Sequence, residues 1–355
     1  MDLIIKYIAK NPGKSSPEIF DGLSKVNEFD MAFATLKRRL TRLKKDNLIT
    51  TTGNRRATRY IISVEYQFIN PIDLNEYFEH EAREVKDRFN FDLIEALQGA
   101  RIFTEEEIEE LEELQEEYQS NIAELRPEAY KHELERLSVD LTWKSSQIEG
   151  NTYSLLDTER LIKEQKTADG KTVEEATMLL NHKKAIDFLI KTPDFFEELR
   201  IRDIEDIHSI LIEKLDVKKG LRTELVGIGG TDYKPLDNEH QIREALTATC
   251  SLINSRENAF EKALLVLVLV SYIQAFMDGN KRTARLVANG ILIANNFCPI
   301  SFRTVESGDY KKAMLIFYEQ NNLSAFKGIF IEQFRFAVSE YFRLKEELVG
   351  CEQLV

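Results

Sequence analysis

Cysteine is scarce in this 355-residue chain: Cys250, Cys298 and Cys351 are the only three. Their unrelated spacings form neither a disulfide framework nor a zinc site, so a reducing cytoplasm is the expected setting. The five histidines are scattered and match no metal spacing. Proline and glycine are modest at 7 and 15 residues, which excludes a low-complexity or disordered chain and fits a globular one. Long hydrophobic runs are missing too. The longest, residues 263–270, is far too short to span a bilayer, so no membrane contact is expected. The opening MDLIIKYIAKNP carries Lys6 among its apolar residues and soon reaches Pro12, which does not read as a leader. No internal repeat appears.

Charge is what the chain has in quantity, and it is unevenly placed. The formal net charge is −13, yet residues 1–64 hold 13 Lys and Arg against 6 Asp and Glu. That head is therefore about +7 and the remainder about −20, a basic head on an acidic body, which argues for partners of two kinds. The length suits two or three domains.

The head reads as three helices and a hairpin. Residues 2–9 have apolar positions at helical spacing and stop at NPGK. SSPEIFDGL offers a serine cap with proline at the helix start. DMAFATLKRRLTRLKKDNLI puts Leu36, Leu40 and Leu43 on one face and Lys37, Arg38, Arg39, Arg42 and Lys45 around the others. Two β-rich runs then flank GNRRA, with Arg55, Arg56 and Arg59 at or near the tip. Residues 1–64 resemble a winged helix-turn-helix domain, and that resemblance implies DNA binding through Lys37, Arg38, Arg39, Arg42, Arg55 and Arg56. A protein-docking winged module is the plainer alternative. Residues 65–129 read as a helical connector. Its run FTEEEIEELEELQEEYQ starts on Thr104 as a cap, with acids suited to the helix dipole, and reads as a solvated face.

From 130 to 345 helical periodicity dominates, interrupted by a β-like patch at 222–236. Chemistry concentrates in QAFMDGNKRTAR at 274–285, which follows the apolar run directly. A helix ending near 275, a turn at Gly279 and a helix restarting near Lys281 would aim free backbone N–H groups at an anion. Asn280 adds a neutral donor, and Arg282 and Arg285 share a helical face. Asp278 supplies the hard oxygen that Mg²⁺ between phosphates would take. The segment reads as a site for a nucleotide's phosphates with Mg²⁺; a bare capped helix start with surface arginines would leave Asp278 unexplained.

This segment resembles the Fic signature H-x-F-x-[D/E]-G-N-[G/K]-R-x-x-R at Phe276, Asp278, Gly279, Asn280, Lys281, Arg282 and Arg285. The resemblance implies an all-helical Fic domain with a small β-hairpin flap, so the whole chain is expected to be mainly α. It further implies AMP transfer from ATP to a Ser, Thr or Tyr hydroxyl of a target protein, the chain itself being one candidate, and self-association as a homodimer. SSQIEGN at 145–151 is similar to the family's inhibitory motif, with Ser145 and Glu149 in the matching places. There the glutamate pairs with the second arginine, here Arg285, and obstructs productive ATP binding. GLRTELVGIGGTDYKPL at 220–236 is similar to the flap that holds a target by strand addition, through Val226, Gly227, Ile228, Gly229 and Gly230.

Two positions depart from the usual pattern. Gln274 stands where the family has its general-base histidine, and a carboxamide has no accessible basic pKa. Nucleotide binding is expected to survive this, with turnover impaired. His208 and His240 lack the signature position, and His208 is expected to be a packed structural residue. Lys281, a candidate phosphate contact alongside Gly279, Asn280, Arg282 and Arg285, is shared with the Doc-like branch, which transfers phosphate in place of AMP, whereas Gly279 fits the AMP-transferring pattern. The alternatives to an autoinhibited adenylyltransferase are a catalytically dead, nucleotide-sensing, DNA-binding regulator and a Doc-like phosphotransferase. Phe276 reads as a core anchor, and Tyr310 with Asn321 and Asn322 as a guess for the adenine border.

Overall fold

A computed structural model describes residues 3–26, 29–45, 47–79, 83 and 85–343. Cys351 and the last two residues of the 130–345 span lie outside them. Helices carry most of the described chain, in line with the mainly α expectation, and the single two-stranded sheet lies in the head.

In the head, α1 (Leu3–Lys10), α2 (Ser16–Leu23) and α3 (Phe33–Lys45) precede an antiparallel hairpin of β1 (Ile49–Thr52) and β2 (Arg59–Ile62). Glu18 and Ser15 form a capping box at the start of α2, with a proline in its first turn. Lys14, between α1 and α2, bridges Tyr60 of β2 and ties the hairpin back to the helices. Ile4, Ile5, Ile8, Ile19, Leu23, Leu36, Leu40 and Leu43 close a small core of their own. The cationic positions of α3 stay exposed because its leucines recur at three- and four-residue spacing and take the buried face.

The connector is less separate than its sequence implies. It comprises α4 (Val64–Ile69), α5 (Leu74–Glu79), α6 (Leu93–Gln98) and α7 (Glu105–Glu124). Phe68, Phe89, Leu93, Leu97, Leu111 and Tyr118 are buried in the main core. Asn322 donates to the carbonyls of Gln67 and Asn70, both at 2.8 Å. Asn321 accepts from Lys86 and Asn90. These two asparagines are spent on fastening the connector, which replaces the adenine-border role guessed for them.

The main core is built from α8 (Pro127–Ile148), α9 (Leu155–Glu164), α10 (Val173–Lys191), α11 (Ile201–Leu211), α12 (Glu239–Ser255), α13 (Ala259–Ile273), α14 (Asn280–Ala294), α15 (Ser307–Gln320) and α16 (Ser324–Tyr341). Every residue from Ala263 to Ile273 is buried, so α13 is apolar all round and sits at the centre. Asn258 caps its start by accepting from the amides of Phe260 and Glu261. The partner helix α14 packs closely on it. Gly290 of α14 lets Phe196 approach so near that a Cβ there would lie 2.3 Å from the ring.

The flap departs from expectation. Residues 220–236 contain no strand; they leave and return as an extended loop turning at Gly229–Gly230. The reason is partnering. Ladder contact is limited to Lys234, which bridges Arg88 of the connector and donates its amide to the Asp87 carbonyl at 2.9 Å. The limb at 225–229, with Val226 and Ile228, makes no backbone ladder among the described residues.

Candidate active site

The turn between α13 and α14 is shaped by its own side chains. Gln274 ends α13 in the left-handed region at φ 52°, and Gly279 opens α14 at φ 79°, where a side chain would be strained. Asn280 staples the turn. Its Oδ1 accepts from the Phe276 amide at 2.8 Å, while its Nδ2 donates to the Phe276 carbonyl at 2.7 Å and to Gln274 Oε1 at 3.2 Å. The side chain expected to donate to phosphate is thus committed to holding the loop, and sequence spacing could not distinguish the two uses.

Gln274 is equally committed. Its Nε2 donates to the Ser271 carbonyl at 2.7 Å, its Oε1 accepts from Asn280, and only 8% of the residue is exposed. Phe276 is fully buried and stacks on His208 at 3.7 Å between centroids, as an anchor should. His208, expected as packing, is buried and also touches the loop, with Nε2 3.0 Å from the Asp278 carbonyl oxygen. Burial pulls its pKa down to about 4, so the ring is neutral at ordinary pH.

Sequence reasoning missed Arg222. Fully buried, it donates through Nε to the Gln274 carbonyl at 2.6 Å, through Nη1 to the Glu224 carbonyl at 2.8 Å and through Nη2 to the Leu236 carbonyl. Its amide also donates to the Ala275 carbonyl at 3.0 Å. One guanidinium therefore pins both ends of the flap to the turn. An arginine in a GLRTE run carries no local mark of this, because all its side-chain acceptors are carbonyls brought close by folding.

The arginines of α14 are buried. Arg282 donates to Asp278 Oδ2 at 2.8 Å, yet its Nε and Nη1 have no hydrogen-bond partner among the described residues. Arg285 donates through Nε to Ser145 Oγ at 2.8 Å and through Nη2 to the Ser145 carbonyl at 2.9 Å and to Glu149 Oε1 at 2.8 Å; Nη1 has no partner. Tyr310 lies under this guanidinium, 5.1 Å from ring centroid to Cζ, so it supports Arg285 in place of the guessed adenine contact. Lys281 Nζ lies 3.4 Å from Glu149 Oε2.

Glu149 reaches this cluster because α8 ends at Ile148, leaving the glutamate at its C-cap, with Gly150 turning away at φ 101°. Burial alone would raise its pKa, but Arg285, Lys281 and Arg282 outweigh that and hold the carboxyl below its ordinary range. It is ionised at neutral pH.

One cavity of about 190 Å³ gathers the three segments singled out in the sequence. Glu149, the flap residues Val226 to Gly229, and Gln274 with Met277 to Lys281 all line it. Gly230 stands just outside, its carbonyl 3.5 Å from Arg83 of the connector. Asp278 is largely exposed, and the described residues contain no cluster of three or more His, Cys, Asp or Glu able to hold a metal by themselves.

Comparison with known proteins bears on the fold and on one stretch of the sequence. Residues 198–292 match the sequence model of the Fic/DOC family. A protein adenylyltransferase Fic of Nematostella vectensis is 28% identical over 173 residues, which are 47% of this chain and 40% of that protein. Protein adenylyltransferase fic-1 of Caenorhabditis elegans is 28% identical over 171 residues, 46% of this chain and 33% of the other. The chain thus spans less than half the length of these relatives. Among solved structures, Fic-1 from C. elegans superposes with a TM-score of 0.58 at 20% identity, covering 66% of this chain and 71% of that one. A Fic domain containing signaling protein from Bacteroides thetaiotaomicron gives 0.56 at 17%, covering 66% and 95%. Such low identities speak for the fold alone. The motif at 145–151 lies upstream of the matched span, and its contact with Arg285 is a property of the folded chain. Residues 198–292 are thus similar in sequence to the Fic/DOC family, and the chain shares the fold of solved Fic proteins.

Proposed function

We propose that this chain is a Fic-type adenylyltransferase scaffold that binds ATP at the α13–α14 turn, is held off by Glu149 and lacks its general base. The observation carrying this reading is the state of the two buried arginines. Three guanidinium nitrogens, Arg282 Nε and Nη1 and Arg285 Nη1, are buried with no hydrogen-bond partner among the described residues. Each such group costs about 1–3 kcal/mol unless an anion meets it. Beside them α14 presents its N-terminus, so polyphosphate is the ligand that satisfies both.

On this reading Arg282 and Arg285 neutralise the outer phosphates, and the amides from Gly279 onward face the α-phosphate. Asp278 is the carboxylate of the turn itself, apart from the locking Glu149, with one oxygen given to Arg282. A lone carboxylate fits Mg²⁺, which takes one or two such ligands and draws the rest from phosphates and water. Bound there, Mg²⁺ would neutralise developing charge on the phosphates. A target hydroxyl would attack the α-phosphorus and release pyrophosphate, while the target backbone pairs with the unladdered limb at 226–229. The proton of that hydroxyl needs an acceptor. Gln274 is none, and loss of general-base catalysis costs about 10²–10⁴ in rate.

Glu149 occupies the anion's place at Arg285, so Glu149→Gly is expected to tighten ATP binding at least about tenfold in a titration with Mg²⁺. Unchanged affinity would remove the lock from the account. Label transferred from γ-phosphate, without transfer from α-phosphate, would favour the Doc-like reading.

A second reading is favoured by the head: a nucleotide-responsive DNA-binding regulator. Lys37, Arg38, Arg39, Arg42 and Arg55 are exposed on α3 and the hairpin; of Arg56 only the backbone is described. The connector that leaves the head runs on to the flap through the Arg88–Lys234 bridge. DNA affinity at low salt that changes with ATP would support this reading, and absent DNA binding would end it.

A further inference from the structure

Glu149 is gripped from two sides by cations of different character. Arg285 is completely buried and fixed by Ser145 and the Tyr310 ring as well as by Glu149. Lys281 is the opposite case: its side chain is 24% exposed, and among the described residues Glu149 is its only ionic or hydrogen-bonding partner. It sits in the first turn of α14, lines the same cavity as Glu149, the flap and Gln274, and carries its charge on a flexible four-carbon stem.

We propose that Lys281 is an exchangeable cation that serves two anions in turn: Glu149 when the site is free, and the outer phosphates of the nucleotide when it is bound. This deepens the reading of the site given above and rests on it. Mobility and charge decide the exchange. When polyphosphate arrives at Arg285, the Glu149 carboxylate must withdraw, and Lys281 loses its partner at the moment a stronger, multiply charged anion lies beside it. Arg285 cannot turn, being held by Ser145, whereas Lys281 can. A glutamate held only by Arg285 would be easier to displace, and a nucleotide without Lys281 would be held less well. The same residue therefore opposes binding through the lock and favours it through the phosphate.

The two contributions separate in a double-mutant cycle on the full chain, with ATP affinity read by calorimetry in Mg²⁺ for the parent, Glu149→Gly, Lys281→Met and the double variant. Removing Lys281 where Glu149 is already gone strips a charge-assisted phosphate contact alone, and ATP binding is expected to weaken about tenfold. With Glu149 present, the same change also removes a partly exposed ion pair from the lock, worth about fivefold at most, so the net loss should shrink to about twofold. AMP, lacking the outer phosphates, should show no loss on Lys281→Met in the Glu149→Gly background. Equal losses in both backgrounds would make Lys281 a phosphate contact only. No loss for ATP when Glu149 is absent would confine it to the lock. Either result overturns the proposal while leaving the ATP site standing. ATP binding that ignores Glu149→Gly would instead overturn the lock itself. Thermal unfolding of each variant guards against misfolding, and Lys281→Arg should restore the parent pattern.

Discussion

The chain uses arginine in two opposite ways. In the head, Arg38 and its neighbours line an exposed helix face around a small core of ten buried residues. In the body, Arg222, Arg282 and Arg285 are among the largest fully buried side chains of the described chain. Exposed cations cost little and act on any polyanion through a field that salt screens. Buried ones carry a desolvation cost of several kcal/mol, recovered only by aligned partners. Arg222 recovers it with carbonyls at both ends of the flap, and Arg285 with Ser145 and Glu149. Arg282 and Arg285 still hold N–H groups in reserve. The contrast teaches that the head spreads its cations over a solvated surface, whereas the loop concentrates them in a buried and partly unpaired cluster, which is why an anion is proposed there.

That contrast can be sharpened by pH. His208 is neutral and buried against the loop, with its pKa near 4, and burial together with Arg285 and Arg282 also pulls His182 well below its ordinary value. A group whose folded pKa is depressed in this way binds protons better when unfolded. Its contribution is complete above the unfolded pKa, near 6.5, and declines as pH falls toward 4. For His208 alone the decline is on the order of 3 kcal/mol. Denaturant unfolding followed from pH 7 to 4 should show it, and His208→Asn should flatten part of the slope. An unaltered slope in that variant would mean the ring does not titrate as its burial implies.

The head should respond to the reverse test. Arg38→Gln is expected to change stability by less than about 0.5 kcal/mol, since its side chain lies on an exposed face. If the head holds DNA, the same substitution should reduce the dependence of log affinity on log salt by about one phosphate contact. A salt slope that stays fixed would place Arg38 away from the nucleic acid.

Much of this was legible along the chain because it is local. The helix caps at Ser15 and Thr104, the buried run of α13 and the turn residues 276–282 are each written in a few consecutive residues. The Glu149–Arg285 contact joins residues far apart in sequence and was reached only through resemblance. What stayed hidden needs tertiary structure. Asn280 reads as a donor until its turn is folded, and Lys281 as a phosphate contact until α8 brings Glu149 to it. The hairpin flap was implied by resemblance; Val226 and Ile228 do alternate half-buried with exposed neighbours, but alternation says nothing of whether a strand lies alongside.

The central claim is that a working phosphate cradle stands here behind a glutamate lock and without its base. It is tested most directly by labelled ATP, carrying label at the α- or the γ-phosphate, given with Mg²⁺ to the parent chain, Glu149→Gly, and Glu149→Gly with Gln274→His. The account predicts α-label on protein in the double variant, at least about 10²-fold above the single one. Tight ATP binding by the double variant, with no label on protein even when candidate targets are supplied, would contradict it.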